Sequence, residues 1–181
     1  MARIAGAFYL LTIMASLEAY FGPRNTLTFI SGLVDKTAFI VVTVLLYFLF
    51  KPVSRNLSLV TACFGMAGSA VGVLNSLHLM PFKINILDFF AFFCLLIGYL
   101  ILRSTFLPPF LGILMILGGA GYLTCLWPPL AKSLYPFNIL PGVFGECALT
   151  LWLLVKGVNG KRWEAQARKA EVPAAQPGSD V

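Results

Sequence analysis

The chain predicts an all-α fold: a polytopic membrane helix bundle of six transmembrane helices. Six apolar stretches follow one another almost end to end, and little chain of the 181 residues is left for a soluble domain. The connections are tight and carry helix breakers: Lys51-Pro52, Pro81, Pro108-Pro109 and Pro128-Pro129. The composition is 59% hydrophobic and 11% charged, whereas a soluble domain is about half apolar and a quarter charged.

A hydrocarbon core of about 30 Å needs roughly 20 residues of helix. The first span, Ile4–Phe21, opens just after Arg3. A signal peptide is the competing reading, with small residues at Ala15-Ser16. The apolar core, however, runs on through Leu17–Phe21, and cleavage would leave five spans. The second, Thr37–Phe50, is short. A start within Leu27–Val34 completes it and draws Asp35 and Lys36 toward the membrane. The third, Leu57–Met80, carries Gly65, Gly68 and Gly72 and is closed by Pro81. The fourth is Ile86–Leu102. The fifth, Leu107–Trp127, opens on two prolines and contains Gly118, Gly119 and Gly121. The sixth is Phe137–Val155. All six are continuous runs rather than period-two alternations, which selects helices over barrel strands. Residues 1–157 thus form the transmembrane domain and 158–181 a basic tail.

Three spans end alike. Tyr47 precedes Lys51 by four residues, Tyr99 precedes Arg103, and Trp152 precedes Lys156. Each pair sets an aromatic ring one turn inside a cation, as in an aromatic belt below a snorkelling base. With six spans these exits share one side with both termini. That side holds nine cations: Arg3, Lys51, Arg55, Arg103, Lys156, Lys161, Arg162, Arg168 and Lys169. The other holds four: Arg24, Lys36, Lys83 and Lys132. The positive-inside rule puts both termini in the cytoplasm.

In the tail, Lys161–Glu171 reads either as a short basic helix anchored at the interface by Trp163 or as a solvated segment. Val172–Val181, with two prolines and small residues, is expected to be disordered. The sequence pI near 9.3 points to anionic lipid at the cytoplasmic face, worth about 1 kcal/mol per basic residue near the surface. It does not point to nucleic acid, because no basic groove with stacking aromatics is present. No Gly-rich phosphate loop or dinucleotide fingerprint appears, so no cofactor is implied.

Four segments carry a family resemblance. They are Arg3–Leu10 (Arg-Ile-Ala-Gly-Ala-Phe-Tyr-Leu), Tyr47–Asn56 with Lys51-Pro52-Val53, Gly98–Leu123, and Gly145-Glu146 followed by Leu151–Gly157. In this order the chain resembles the domain-of-unknown-function family 4386 of bacterial integral membrane proteins. It is shorter than typical members between the third and fourth spans. The resemblance implies a polytopic bacterial membrane protein and no activity.

Acids inside a membrane cost about 2.5–3.5 kcal/mol at mid-depth, so each is a functional candidate. Glu18 lies near the outer end of span one, and Asn75 and His78 near that of span three. Asp88 lies at the outer start of span four, and Asp35 and Lys36 at the outer mouth of span two. Glu146 lies roughly 14 Å in from Phe137 at 1.5 Å per residue. The functional reading is an outward-opening pocket floored by Glu146 and rimmed by Glu18, Asn75, His78 and Asp88, binding a cation or a small polar molecule. The structural reading has Glu146 bonded to Asn75 or Ser69, and the rim residues resting in the headgroup zone.

A metal site is disfavoured by the single histidine, without a partner at helical spacing. Ser-His-Asp catalysis needs contacts that sequence does not display. Cys63, Cys94, Cys125 and Cys147 fall in four different spans and read as small buried residues. The glycines of spans three and five read as close-packing positions. Three functions follow: a binder of a small molecule or ion, an accessory subunit packing against other membrane subunits, or an intramembrane enzyme. A closed bundle with a polar cavity favours the first, and a lipid-facing stripe of small residues the second.

Overall fold

The computed structural model describes residues 1–23, 25–77, 79 and 85–171. Arg24, His78, Lys83, the expected end of span three at Met80 and the tail Val172–Val181 lie outside them. The described residues form α1 (Ala2–Phe21), α2 (Thr26–Phe50), α3 (Arg55–Ser76), α4 (Ile86–Arg103) and α5 (Pro109–Leu123). A 3₁₀ turn (Thr124–Leu126), α6 (Pro128–Leu134), α7 (Leu140–Val155) and α8 (Gly160–Glu171) follow. No strand occurs among the described residues. Five of these helices are long and apolar enough to cross a membrane, and the apolar α7, of 16 residues, reaches that length only when counted together with α8 across a sharp bend.

The helix starts follow local chemistry. Asn25 caps α2 through Thr28 N–H, Ser54 caps α3 through Leu57 N–H, and Asn85 caps α4 through Leu87 N–H. Prolines open α5, α6 and α7, where the missing N–H costs nothing. The second span does begin early, at Thr26, which places Asp35 and Lys36 inside the helix. The sixth span is shorter than expected. Pro128–Leu134 forms a separate, largely exposed helix, so α7 begins only at Leu140. Glu146 then lies about 9 Å from the start of α7 rather than 14 Å.

The six long helices close into a ring. Each of α1 to α5 packs on its sequence neighbour, and α7 fills the gap between α5 and α1. Outward faces carry large apolar side chains such as Leu59, Ile113, Leu117 and Leu151, each more than half exposed. Water would penalise that surface and hydrocarbon does not. The chain is therefore a multi-pass membrane protein.

Backbones meet directly between α1 and α7, where a Cβ on Gly6 would lie 2.6 Å from Leu154 N, and at two further helix pairs. A Cβ on Gly118 of α5 would lie 2.5 Å from Gly142 Cα of α7. One on Gly98 of α4 would lie 2.7 Å from the Gly112 carbonyl of α5. The glycines of α3 also face inward: Gly65 meets Thr43 and Phe93, Gly68 meets Phe89, and Gly72 meets the flexible end of Lys36. That stripe is spent within the bundle rather than on lipid.

At the end holding both termini the aromatic-to-cation pairs appear as expected at two exits. Arg103 Nε donates to Tyr99 Oη at 3.0 Å, and Lys156 Nζ lies 4.4 Å from the Trp152 ring centre. Gly157, at φ 69°, ends α7 in a left-handed turn, and α8 leaves at 101°. The basic helix is not a solvated tail. Trp163 Nε1 donates to the Leu49 carbonyl at 2.9 Å, and Gln166 Nε2 to the Arg103 carbonyl at 3.4 Å. Those carbonyls belong to the last turns of α2 and α4 and have no partner within their own helices. Gln166 Oε1 also accepts from the Thr105 N–H and hydroxyl. Trp163 thus ties α8 across the bundle end instead of serving only as a lipid anchor.

Candidate functional site

The two halves of the ring are built differently. Toward the termini the interior is solid: Val42, Leu46, Phe50, Ile97, Leu100, Leu111, Leu149 and Leu153 are all essentially inaccessible. Above them lies a layer of rings. Phe39 sits 5.1 Å from Phe93 and 5.3 Å from Phe90, Phe90 lies 5.6 Å from Tyr122, and Tyr9 lies 6.2 Å from Phe39. Beyond this floor the helices diverge around a cavity of ≈ 280 Å³.

The helical period decides which side chains line it. From α1 come Tyr9, Thr12, Ile13, Ser16 and Leu17, spaced as one helix face. From α2 come Asp35, Lys36 and Phe39, and from α3 Phe64, Gly65, Gly68 and Ser69. The fourth helix supplies Ile86, Leu87 and Phe90, the fifth Tyr122, and the seventh Val143, Glu146 and Cys147. The lining runs from mid-depth, where Tyr9, Phe39 and Phe64 sit, toward the end of the bundle away from the termini.

The polar groups form two pairs. Tyr122 Oη donates to Glu146 Oε1 at 2.7 Å. Lys36 and Asp35 form an ion pair, the one salt bridge among the described residues. Asp35 is within electrostatic reach of Glu146. Ser69 is satisfied internally, its hydroxyl donating to the Gly65 carbonyl at 3.0 Å. Tyr9 differs. It is 1% exposed, lies in the field of Glu146, and its hydroxyl has no hydrogen-bond partner among the described residues. A buried hydroxyl without a partner costs about 1–3 kcal/mol, and this one lies behind the cavity wall rather than on its surface.

Of the residues expected to form the site, Glu146 lines the cavity. Its partner is Tyr122, not the expected Asn75 or Ser69. Glu18 is turned aside: its carboxylate folds over Gly22, with Oε1 2.7 Å from where a Gly22 Cβ would sit. Asp88 occupies the first turn of α4, where a carboxylate complements the helix dipole. It lies one step around that helix from the lining residues Leu87 and Phe90, toward Cys125. Asn75 is half-buried near the end of α3 and does not line the cavity. His78 lies outside the described residues. Among the described residues no cluster of three metal-ligating side chains occurs. The cysteines divide: Cys94 is buried, Cys63 is exposed on the outer face, and Cys147 lines the cavity.

Tyr9 and Tyr122 were not legible in the sequence as site residues. Tyrosine is at home anywhere in a membrane helix, and only ring closure between α1 and α7 brings Tyr9 to Glu146. Asp35 and Lys36 did carry a signal, since two charges ten residues inside an apolar helix demand each other or a polar cavity.

Comparison with known proteins gives a family without an assigned activity. The family model described as a domain of unknown function (DUF4386) matches residues 24–84 and 82–157. The two matched segments meet in the connection between α3 and α4. An uncharacterised protein from Archaeoglobus fulgidus is 34% identical over 125 residues, covering 65% of this chain and 76% of that protein. No solved structure matches. With most of its length matched, from the start of α2 to the end of α7, the chain belongs to the DUF4386 family.

Proposed function

We propose that this protein binds a small amphipathic molecule inside the membrane, in the cavity between the aromatic floor and the end of the bundle away from the termini. The observation that carries this reading is the cavity itself, which sets the Glu146–Tyr122 pair among aromatic and aliphatic walls inside the bundle. The walls are mainly apolar, and the polar groups are few and local, which is the usual make-up of a ligand site. At ≈ 280 Å³ the cavity lies at the small end of ligand pockets, about 300–1,000 Å³, so the ligand is compact. Glu146 and Tyr122 hold its polar head, and Phe39, Phe64 and Phe90 its apolar body. Glu18, Asn75 and Asp88 belong to the same end and act at the entrance, the role the sequence also suggests for His78. The inward-facing glycine stripe of α3 speaks against an accessory subunit, which would need that stripe for a partner.

Cys147 supplies the test. A small water-soluble thiol reagent added to membranes should modify Cys147 and spare Cys94, read by peptide mass spectrometry. If Cys147 stays as unreactive as Cys94, solutes do not reach the cavity and the binding role is lost.

The orientation is part of the same proposal. Both termini face the cytoplasm of an inner membrane, and Lys161, Arg162, Arg168 and Lys169 on α8 meet anionic lipid. Reporter fusions after Arg55, Arg103 and Lys161 should read cytoplasmic, and a fusion after Lys132 should read as the opposite side. The reverse pattern would turn the cavity toward the cytoplasm.

A further inference from the structure

The charge of the ligand follows from what the cavity leaves unbalanced. We infer that the cavity accepts a compact organic monocation, an amine or quaternary ammonium carried on an apolar body. This inference rests on the binding role proposed above.

Three described side chains in the lining carry formal charge: Asp35, Lys36 and Glu146. Lys36 is engaged by Asp35, so it has no free charge to offer an anion. Glu146 is left without a cationic partner among the described residues, so an entering cation would hold its carboxylate ionised, whereas an anion would find no free positive charge in the described lining. One oxygen of Glu146 accepts from Tyr122, and a carboxylate has further lone pairs for a second donor. One added positive charge makes the lining neutral, whereas two would overshoot.

The walls say what kind of cation. Tyr9, Phe39, Phe64, Phe90 and Tyr122 surround the space with aromatic rings. Ring faces attract ammonium groups, and more strongly where water is excluded. A hard metal ion needs six or more oxygen ligands to replace its water. This cavity offers two carboxylates, one already paired, and a few hydroxyls. A quaternary ammonium gives up its weak hydration readily, a protonated amine replaces part of its hydration with the Glu146 carboxylate, and the apolar body of either fills the apolar space.

Protection of Cys147 measures occupancy. The probes are benzyltrimethylammonium, its uncharged isostere neopentylbenzene, and the anion phenylmethanesulfonate, compared at equal free aqueous concentration on the purified full-length protein. The cation should slow Cys147 modification at a concentration at least tenfold below the neutral isostere, and the anion should not protect. In Glu146→Gln the cation should lose its advantage over the neutral isostere. Equal protection by the cation and the neutral compound in the unmodified protein overturns the charge assignment while leaving the cavity a binding site. Protection by the anion overturns it as well. Protection by none of the three removes both the inference and the binding role beneath it. The comparison of probes on the unmodified protein decides the matter even if Glu146→Gln does not fold.

Discussion

Gly118→Leu should abolish the folded bundle in mild detergent, and Gly118→Ala should already lower its melting temperature. A single Cβ at Gly118 would sit 2.5 Å from Gly142 Cα, and backbone cannot step aside as a side chain can. The helices must separate, which also lifts Gly142 from the Tyr122 ring, whose Cζ lies 2.3 Å from where a Gly142 Cβ would be. Overpacking of this kind costs about 1–3 kcal/mol, or roughly 4–8 °C for a loss near the middle of that range. A leucine adds three more carbons and has no place to put them. Two controls fix the interpretation. Gly32→Ala should be neutral, since its nearest neighbour is 3.9 Å away. Gly72→Ala should cost less than Gly118→Ala, because it meets the ends of the Lys36 and Ile86 side chains rather than backbone. Thermal unfolding followed by size-exclusion chromatography reads all four. If Gly118→Ala melts with the unmodified protein, α5 and α7 do not touch backbone to backbone, and the ring is not closed as described.

The second large effect lies at the Tyr122–Glu146 bond. Tyr122→Phe keeps the ring on Gly142 and removes only the hydroxyl. It leaves the Glu146 carboxylate without its donor in a low-dielectric interior, a loss of about 1–3 kcal/mol. Glu146→Leu strands the Tyr122 hydroxyl at a similar cost. Glu146→Gln retains an acceptor oxygen and should melt close to the unmodified protein, so it separates the role of charge from that of shape. The double variant Tyr122→Phe with Glu146→Leu removes both polar groups together, and its loss should fall short of the sum by about 0.5–3 kcal/mol. Strict additivity would show that the two groups do not meet. Neutral behaviour of all the variants would place Glu146 against water or headgroups, and the cavity floor would need another description.

The bundle was legible in the sequence to the extent that depth in a membrane is a one-dimensional quantity. Hydropathy and proline placement locate helices along the chain because helix length and desolvation are local costs. The early start of α2 followed from the length needed to cross, and the Tyr99–Arg103 and Trp152–Lys156 contacts from i, i+4 spacing within one helix. Glu146 announced itself because a carboxylate at that depth is expensive whatever surrounds it.

The direction each residue faces was a different matter. Glu18 and Asp88 were placed at the correct end of the bundle, yet each is one step of about 100° around its helix from the residues that line the cavity. Tyr9 and Tyr122 were passed over, although both contribute to its wall. The tail helix was readable as amphipathic, but lipid surface and bundle end satisfy the same pattern; the carbonyls of Leu49 and Arg103 decided between them. In a soluble protein the apolar stripe of a helix shows which way is inward. Here the lipid is as apolar as the interior, so that signal vanishes. The sequence by itself determined that the chain is a bundle of membrane-spanning helices, roughly where each lies along the chain, and which charged residues sit within them. Only the closure of α7 against α1 decided which faces turn inward, and with them the cavity, its aromatic walls and the partners of Glu146.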